Sequence, residues 1–177
     1  MRSPTPKYSY HKWRNDHGGA LVEFAIVMPL LLLLCFGIIE FSLVFYNKAV
    51  LSNACREGAR AGIILKDENL TTGVYTYPDQ ADIELVIENY LKRPDSDGNI
   101  KYRLISFGSD FDTSFTVDEI TYTDSNGSGT TPDPGDSLTV RIAYEHRFLA
   151  ISNIIKLFNS SLPQKITLEA KTVMRLF

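Results

Sequence analysis

A charged side chain stands at the start of a long apolar stretch in this sequence. Glu23 lies five residues after Gly18 and is followed by a run that carries only one further charge, Glu40, before residue 46. A carboxylate within a membrane segment costs on the order of 2.5–3.5 kcal/mol on insertion scales. We therefore expect Glu23 to form an ion pair or hydrogen bonds with a specific partner. The pattern indicates a membrane protein with a charge at the threshold of its membrane segment.

The groups that an enzyme would need are not clustered in this sequence. His146 is the only histidine outside the first 18 residues, and no histidine or cysteine stands at metal-ligand spacing. A nucleophile and base formed by Cys55 and His146 is a remote alternative. The turn at residues 95–99 lacks calcium ligands at the flanking positions that a calcium loop requires. We expect no enzymatic activity, no metal site and no cofactor.

The two cysteines, Cys35 and Cys55, are expected to be free thiols. If one continuous helix carries both, they are about 30 Å apart, which is too far for an intramolecular disulfide. The simplest interpretation is that they are small packing residues. A cross-link between Cys55 and another subunit is the alternative.

Residues 20–46 predict one transmembrane helix. The run exceeds the roughly 20 apolar residues that a helix needs to cross a bilayer. Basic residues are concentrated before it, within residues 1–18, and this predicts a cytoplasmic N-terminus with the remainder of the chain outside the cytoplasm. That remainder is net acidic and has no basic stripe, which argues against nucleic-acid binding.

Three other interpretations of the apolar run fit less well. A cleaved secretory signal has an apolar core of only about 7–15 residues. A lipoprotein site at Cys55 would need a bulky aliphatic residue where Ser52 stands. An uncleaved signal anchor explains the length of the run but explains neither the glycine pair at 18–19 nor Glu23.

The N-terminal motif resembles that of the TadE-like minor pseudopilins of the tight-adherence (Flp-type) pilus system. In that family a prepilin peptidase cuts after a glycine, and the fifth mature residue is a glutamate followed by an aromatic residue. A cut after Gly18 makes Gly19 the first residue, Glu23 the fifth and Phe24 the sixth. Major Flp pilins usually have tyrosine in the sixth place, so Phe24 favours the minor subunits. The resemblance covers about residues 18–62 and continues through residues 24–30, 37–40 and 53–60.

This resemblance implies a structural and assembly function. The chain would be a minor pseudopilin that helps to build or prime a Flp-type pilus. The residues involved in its processing by the prepilin peptidase would be Gly18, Gly19, Glu23 and Phe24. Its location would be the bacterial inner membrane, crossed once with the N-terminus in the cytoplasm. Its partners would be the membrane, the peptidase, other pilin or pseudopilin subunits and the pilus assembly platform. The alternative is an uncleaved, membrane-anchored binding or sensing module.

Candidate contacts with other subunits are Glu23, Gly37, Glu40, Arg56 and Arg60. Cleavage would free the α-amino group of Gly19, which would pair with Glu23 of the same chain or of a neighbour. Glu40 lies about 25 Å beyond Glu23 along a helix, near the far interface, where we expect its charge to reach water. Gly37 lies on the same face and would admit another helix. The resemblance implies docking for Arg56 and Arg60, and simple solvation is the alternative.

Residues 47–65 are predicted to continue the helix outside the membrane. Ala54, Gly58 and Gly62 recur every four residues and form a small-residue stripe on one face. Such a stripe permits close packing, against the sheet of the same molecule or, alternatively, against a partner helix.

The predicted domains are a cytoplasmic leader at 1–18 that is cleaved, a transmembrane helix at 19–46, its extracytoplasmic continuation at 47–65 and a soluble domain at 66–177. Within that domain a second helix is predicted at 79–91, because an acidic start precedes helical apolar spacing and Pro94 follows. The predicted fold class is α+β: a single N-terminal transmembrane helix that extends into a pilin-like domain with a second helix and an antiparallel sheet of about four strands.

The strands are predicted from alternating apolar residues at 100–107, 115–122, 138–144 and 166–170. The alternation slips by one position at residues 118–119, which predicts a β-bulge. A short helix is predicted at 148–158. Residues 124–136 are rich in Ser, Gly, Thr, Pro and Asp and predict a long exposed loop.

Overall fold

A computed structural model of the protein describes residues 16–64, 66–69, 74–94, 96–98, 100–105, 115–125, 127, 132–148 and 165–177. The elements, in chain order, are α1 (Asp16–Gly62), β1 (Asp67–Asn69), β2 (Val74–Thr76), α2 (Gln80–Leu91), β3 (Lys92–Pro94), β4 (Ile100–Tyr102), β5 (Phe115–Thr123), β6 (Ser137–Arg147) and β7 (Lys165–Arg175). The predicted α+β fold class, with a long N-terminal helix, a second helix and an antiparallel sheet, is confirmed. Residues 1–15 of the predicted leader lie outside the described residues, and so does most of the helix predicted at 148–158.

Helix α1 is 47 residues long and has two differently covered parts. From Gly18 to Ile39 its residues are exposed or half-exposed, whereas a stripe of buried residues begins at Glu40 and continues to Gly62. Pro29 lies inside the helix and does not end it. Contacts of the soluble domain with α1 therefore begin at Glu40, inside the segment predicted to lie in the membrane.

The main sheet has three strands in the order β5-β6-β7, and both pairings are antiparallel. Alternate residues of the central strand β6 face the helices, and they are fully or almost fully buried: Leu138, Val140, Ile142, Tyr144 and His146. The register between β5 and β6 shifts between Val117 and Glu119. This confirms the bulge predicted from the slip in the apolar alternation.

The strand predicted at 100–107 is shorter than expected and does not join the main sheet. Only β4, Ile100–Tyr102, is extended, and it pairs with β3 in a separate two-stranded hairpin. The Arg103 N–H still donates to the Leu91 carbonyl in register with the hairpin (2.9 Å), and the pairing ends before Ile105, whose backbone bonds to the Asn47 side chain. Residues 106–107 of the predicted strand lie outside the described part of the chain.

Helix α2 is confirmed at the predicted position. The Asp79 side chain caps its first turn by accepting a hydrogen bond from the Asp82 N–H (2.8 Å). Ile83, Ile87 and Leu91 recur at helical spacing and are fully buried. This apolar stripe packs α2 against α1, and α1 in turn packs on β6 and β7 of the sheet.

The small-residue stripe of α1 permits the close approach of α2 and β6. A Cβ atom added at Gly58 would lie 2.6 Å from Ile87 Cγ1, and one added at Gly62 would lie 2.8 Å from Ile83 Cδ1 and overlap Leu138. Ala54, next on the stripe, is fully buried. The stripe therefore packs within the same molecule, as predicted, and not against a partner helix. It contacts α2 as well as strand β6 of the sheet.

The long loop predicted at 124–136 is anchored at its C-terminal end, contrary to the expectation that it is exposed throughout. Asp136 is almost fully buried, and its carboxylate accepts hydrogen bonds from the backbone N–H groups of Ser125 (3.0 Å) and Asp133 (3.1 Å). Its backbone carbonyl also accepts from the Leu176 N–H (2.8 Å). These bonds compensate for the desolvation of the carboxylate.

Candidate functional site: the uncovered part of helix α1 and its junction with the domain

The first part of α1 is a bare apolar helix. Within the described residues it belongs to the one helix that is long and apolar enough to cross a membrane. Its most apolar window has no side chain buried against the rest of the protein. Residues 20–39 alone are about 30 Å long at the usual helical rise, which matches the hydrocarbon core of a bilayer. The length and composition are those of a membrane anchor.

The motif residues predicted to be processed lie together at the beginning of this bare helix. Gly18, Gly19, Glu23 and Phe24 are all exposed, and α1 begins only two residues before Gly18. Nothing lies within 4 Å of the positions that Cβ atoms at the two glycines would occupy. Within the described part of the chain Glu23 has no ionic partner, so the partner predicted for it is not supplied by the domain.

Gly37 lies on the same bare part of the helix and faces open space. No atom comes within 4 Å of a Cβ atom built on it, in contrast to Gly58 and Gly62. The glycines of α1 therefore fall into two classes. Beside Gly58 and Gly62 the space is occupied by other side chains of the chain, whereas beside Gly18, Gly19 and Gly37 it is open. Close approach of another helix is sterically possible at Gly37.

Glu40 is placed differently from the prediction. Its side chain is only 2% exposed, so its charge does not reach water. It lies at the junction where the domain meets the bare helix, close enough to His146 for its charge to influence that imidazole. The sequence indicated an interfacial carboxylate, but the end of β6 covers it.

Asn47 connects α1 to two distant parts of the chain. Its Nδ2 donates to the Ile105 carbonyl (2.6 Å), and its Oδ1 accepts from the Ile105 N–H (2.8 Å). These two bonds fix the orientation of the carboxamide, so the second proton of Nδ2 is directed at Nδ1 of His146 (3.0 Å). Nδ1 must then be an acceptor, and the neutral imidazole carries its proton on Nε2.

His146 is fully buried, and its Nε2 has no hydrogen-bond partner among the described residues. Burial lowers the pKa of His146 below its ordinary value, while the nearby backbone of Ile105 and the charge of Glu40 act in the opposite direction. The lowered pKa agrees with the neutral tautomer that the Asn47 bond requires. We call Glu40, Asn47 and His146 the junction cluster.

Sequence reasoning did not single out Asn47, and it considered His146 only as a catalytic candidate. One signal was present in the sequence. Asn47 lies seven residues after Glu40 and four before Leu51, so the three residues share one face of α1. Two polar residues on a face that becomes apolar indicate a buried polar contact, but the sequence does not reveal the partner.

The other predicted contact residues, Arg56 and Arg60, lie on the opposite face of α1. Both are exposed, as are Asn53 and Glu57 beside them. This polar face is left uncovered by the domain, whereas the stripe at Ala54 is buried. The arrangement leaves the arginines free of the core and available for either of the roles predicted for them.

No catalytic pair is formed in the described part of the chain. Cys55 is fully buried, and its thiol donates to the Val140 carbonyl (3.0 Å), while His146 bonds to Asn47 two helical turns away. Burial also raises the pKa of the Cys55 thiol, which keeps it in the unreactive protonated form. Both cysteines are free, and no group of three or more potential metal ligands occurs among the described residues.

Comparison with known proteins gives one match. The family described as TadE-like protein matches residues 18–60. The resemblance predicted from the sequence is thereby confirmed for this segment, which is consistent with a TadE-like protein of the tight-adherence pilus system and indicates involvement in such a pilus. No curated protein and no solved structure matches the chain.

Proposed function

We propose that this chain is a minor pseudopilin that helps to assemble or prime a tight-adherence (Flp-type) pilus. The observation that carries the proposal is the location of the match to TadE-like proteins. It begins at Gly18 and covers the bare apolar helix together with the part of α1 that holds the domain. One segment thus combines a processing motif, a membrane anchor and the attachment of a soluble domain, which is the combination that a pilus subunit needs.

In this proposal a prepilin peptidase cuts after Gly18. The exposure of Gly18 and Gly19 and the empty space around both favour access by an enzyme. Cleavage creates an α-amino group on Gly19, one helical turn from Glu23. Because no ionic partner of Glu23 occurs among the described residues, this new cation, or that of a neighbouring subunit, is the group with which it pairs.

The proposed location is the bacterial inner membrane, with the N-terminus in the cytoplasm. The basic residues at 1–18 support this orientation through the positive-inside rule. The soluble domain, which packs on α1 from Glu40 onward, then lies outside the cytoplasm. There it meets other pilin or pseudopilin subunits and the assembly platform.

The proposed contacts with those subunits are on the uncovered surfaces of α1. Glu23 and Gly37 lie on the bare part, and Arg56 and Arg60 lie on the polar face further along. Glu40 does not lie on an uncovered surface, because its side chain is buried within the single chain. We propose that Glu40 contributes to assembly by holding the domain on the helix rather than by touching a neighbour.

Mass spectrometry of the N-terminus of the membrane-extracted protein tests the proposal. The expected mature chain begins at Gly19, and Gly18→Leu is expected to leave the full-length chain because the peptidase needs a small residue at the cut. Gly37→Leu is the matched control, since it adds the same side chain on the same helix and should be cut normally. An intact N-terminus in the natural host would instead favour an uncleaved anchored module.

Orientation has its own test. Protease added outside spheroplasts is expected to digest the domain and to leave residues before about 40 protected by the bilayer. Complete protection of the domain would contradict the proposed orientation without bearing on the cut after Gly18.

A further inference from the structure

The junction between α1 and the domain carries four apolar side chains that are not buried. Phe41 and Phe45 of α1 are 63% and 71% exposed, and Ile166 at the start of β7 is 42% exposed. Phe148, at the end of β6, is half-buried. We call these four residues the junction collar.

Contacts place the collar residues of the domain at the level of Glu40. Glu40 lies near His146, and Ile166 is the register partner of His146 across β6 and β7. The Phe148 ring packs edge-on against the His146 ring, with the centroids 5.7 Å apart. Phe41 directly follows Glu40, and Phe45 lies one helical turn further; both are exposed, on the side of the helix that the domain leaves open.

The bare helix reaches this level without a linker. Residues 20–39 span about 30 Å, which is the thickness of the hydrocarbon core, and Glu40 follows immediately. The interfacial layer of headgroups extends about 5–7 Å beyond the core on each side. A helix that crosses the bilayer therefore brings the collar into that layer, where aromatic and aliphatic side chains bind favourably.

We propose that the junction collar is a membrane-contact surface whose partner is the headgroup layer of the bilayer. The soluble domain then rests directly on the membrane surface, and the collar shields the junction cluster from bulk water. Leaving the membrane requires release of the collar as well as of the helix. The inference rests on the membrane-spanning part of the proposed function and adds a binding surface on the domain itself.

Tryptophan fluorescence in proteoliposomes of the full-length chain tests this surface. Trp13 is the only tryptophan, so Trp13→Phe provides a silent background. Ile166→Trp reports on the collar, and Val173→Trp is the matched control. Val173 is also an exposed residue of β7, 57% accessible, but lies about 23 Å further along the strand.

With a quencher attached to the lipid headgroup, Ile166→Trp is expected to lose most of its fluorescence and Val173→Trp to keep it. Aqueous acrylamide should give the reverse order. Equal lipid quenching of the two positions would overturn the inference. Protection of Ile166→Trp from both quenchers would also overturn it, because it would mean that protein covers the collar.

A third reporter, Leu33→Trp on the bare helix, separates the two proposals. A quencher placed deep in the acyl chains is expected to quench it. If Leu33→Trp is quenched while Ile166→Trp is not, only the collar is contradicted and the membrane-spanning helix stands. If Leu33→Trp also escapes quenching, the spanning helix fails and the collar inference fails with it.

Discussion

The side chain of Asn47 pairs with the backbone of Ile105 in the way that a neighbouring strand would. Its carboxamide donates to the Ile105 carbonyl and accepts from the Ile105 N–H, across 58 residues of sequence. Ile105 is not in a strand, so these bonds satisfy backbone groups that no ladder serves. The same carboxamide orients His146, and one side chain thus joins α1, the segment after β4 and the end of β6.

Asn47→Ala is expected to lower the free energy of unfolding by about 2–4 kcal/mol, because it leaves backbone groups of Ile105 and the imidazole of His146 without their partner. Urea unfolding in detergent measures the change. The control is Asn53→Ala on the exposed face of the same helix, which should stay within about 0.5 kcal/mol of the parent. Equal effects of the two substitutions would contradict the role given to Asn47.

The stability of the domain is expected to fall as the pH drops from about 7 to about 5. The pKa of His146 is lowered in the folded protein, so the unfolded chain takes up a proton near pH 6.5 while the folded protein resists it. The contribution is fully present above pH 6.5 and declines below it. His146→Gln should reduce this pH dependence. An unchanged slope in that variant would assign the pH dependence to other groups.

Gly62→Ala is expected to destabilise the domain by about 1–3 kcal/mol, since the new methyl group would overlap Leu138 and crowd Ile83. The control is Gly37→Ala, which meets open space and removes a flexible residue from a helix. Thermal unfolding should separate the two variants. A neutral Gly62→Ala would mean that α1 and β6 approach less closely than described.

Cys55 is expected to resist alkylation in the folded protein, because it is fully buried and its thiol donates to the Val140 carbonyl. Cys35 is exposed on the bare helix and should react with a small maleimide once the protein is in detergent. Peptide mass spectrometry before and after unfolding distinguishes the two sites. Rapid native labelling of Cys55, or a disulfide-linked dimer through it, would contradict its burial and restore the cross-linking alternative.

Glu23→Val is expected to insert, to be clipped at least in part, and to fail to restore piliation in a deletion strain. Removing a charge makes insertion easier, while the partner of the freed amino group is lost. Glu84→Val, at an exposed carboxylate of α2, is the control and should support pili. Normal pilus numbers with Glu23→Val would reduce Glu23 to a solvated charge, and loss of clipping would place its role in peptidase recognition.

Local patterns in the sequence were sufficient for α2 and for the strands and bulge of the main sheet. The helix at 79–91 follows from an acidic cap and apolar spacing, and the bulge at 118–119 follows from a slip in alternation. Both leave a signature within a few neighbouring residues, so both can be deduced without the fold. The apolar run with its Gly-Gly-x-x-x-Glu-Phe start is similarly local, and the match at residues 18–60 agrees with it.

The expectation for residues 100–107 failed for the opposite reason. Their apolar alternation is compatible with a strand, but the backbone of Ile105 bonds to the side chain of Asn47. That partner is distant in sequence, and its bonds replace the ladder that a longer strand would have formed at this position.

The sequence by itself determined that a carboxylate at the start of an apolar run, an apolar helix of membrane-spanning length and an α+β domain follow one another along the chain. Only the tertiary structure decided that Glu40 is buried, that Asn47 binds Ile105 and His146, and that Phe148 and Ile166 lie beside His146. A helical pattern shows which residues share a face, but not what that face meets. The environment of Glu40 depends on the end of β6, about 100 residues later, and only packing of the sheet against α1 brings them together.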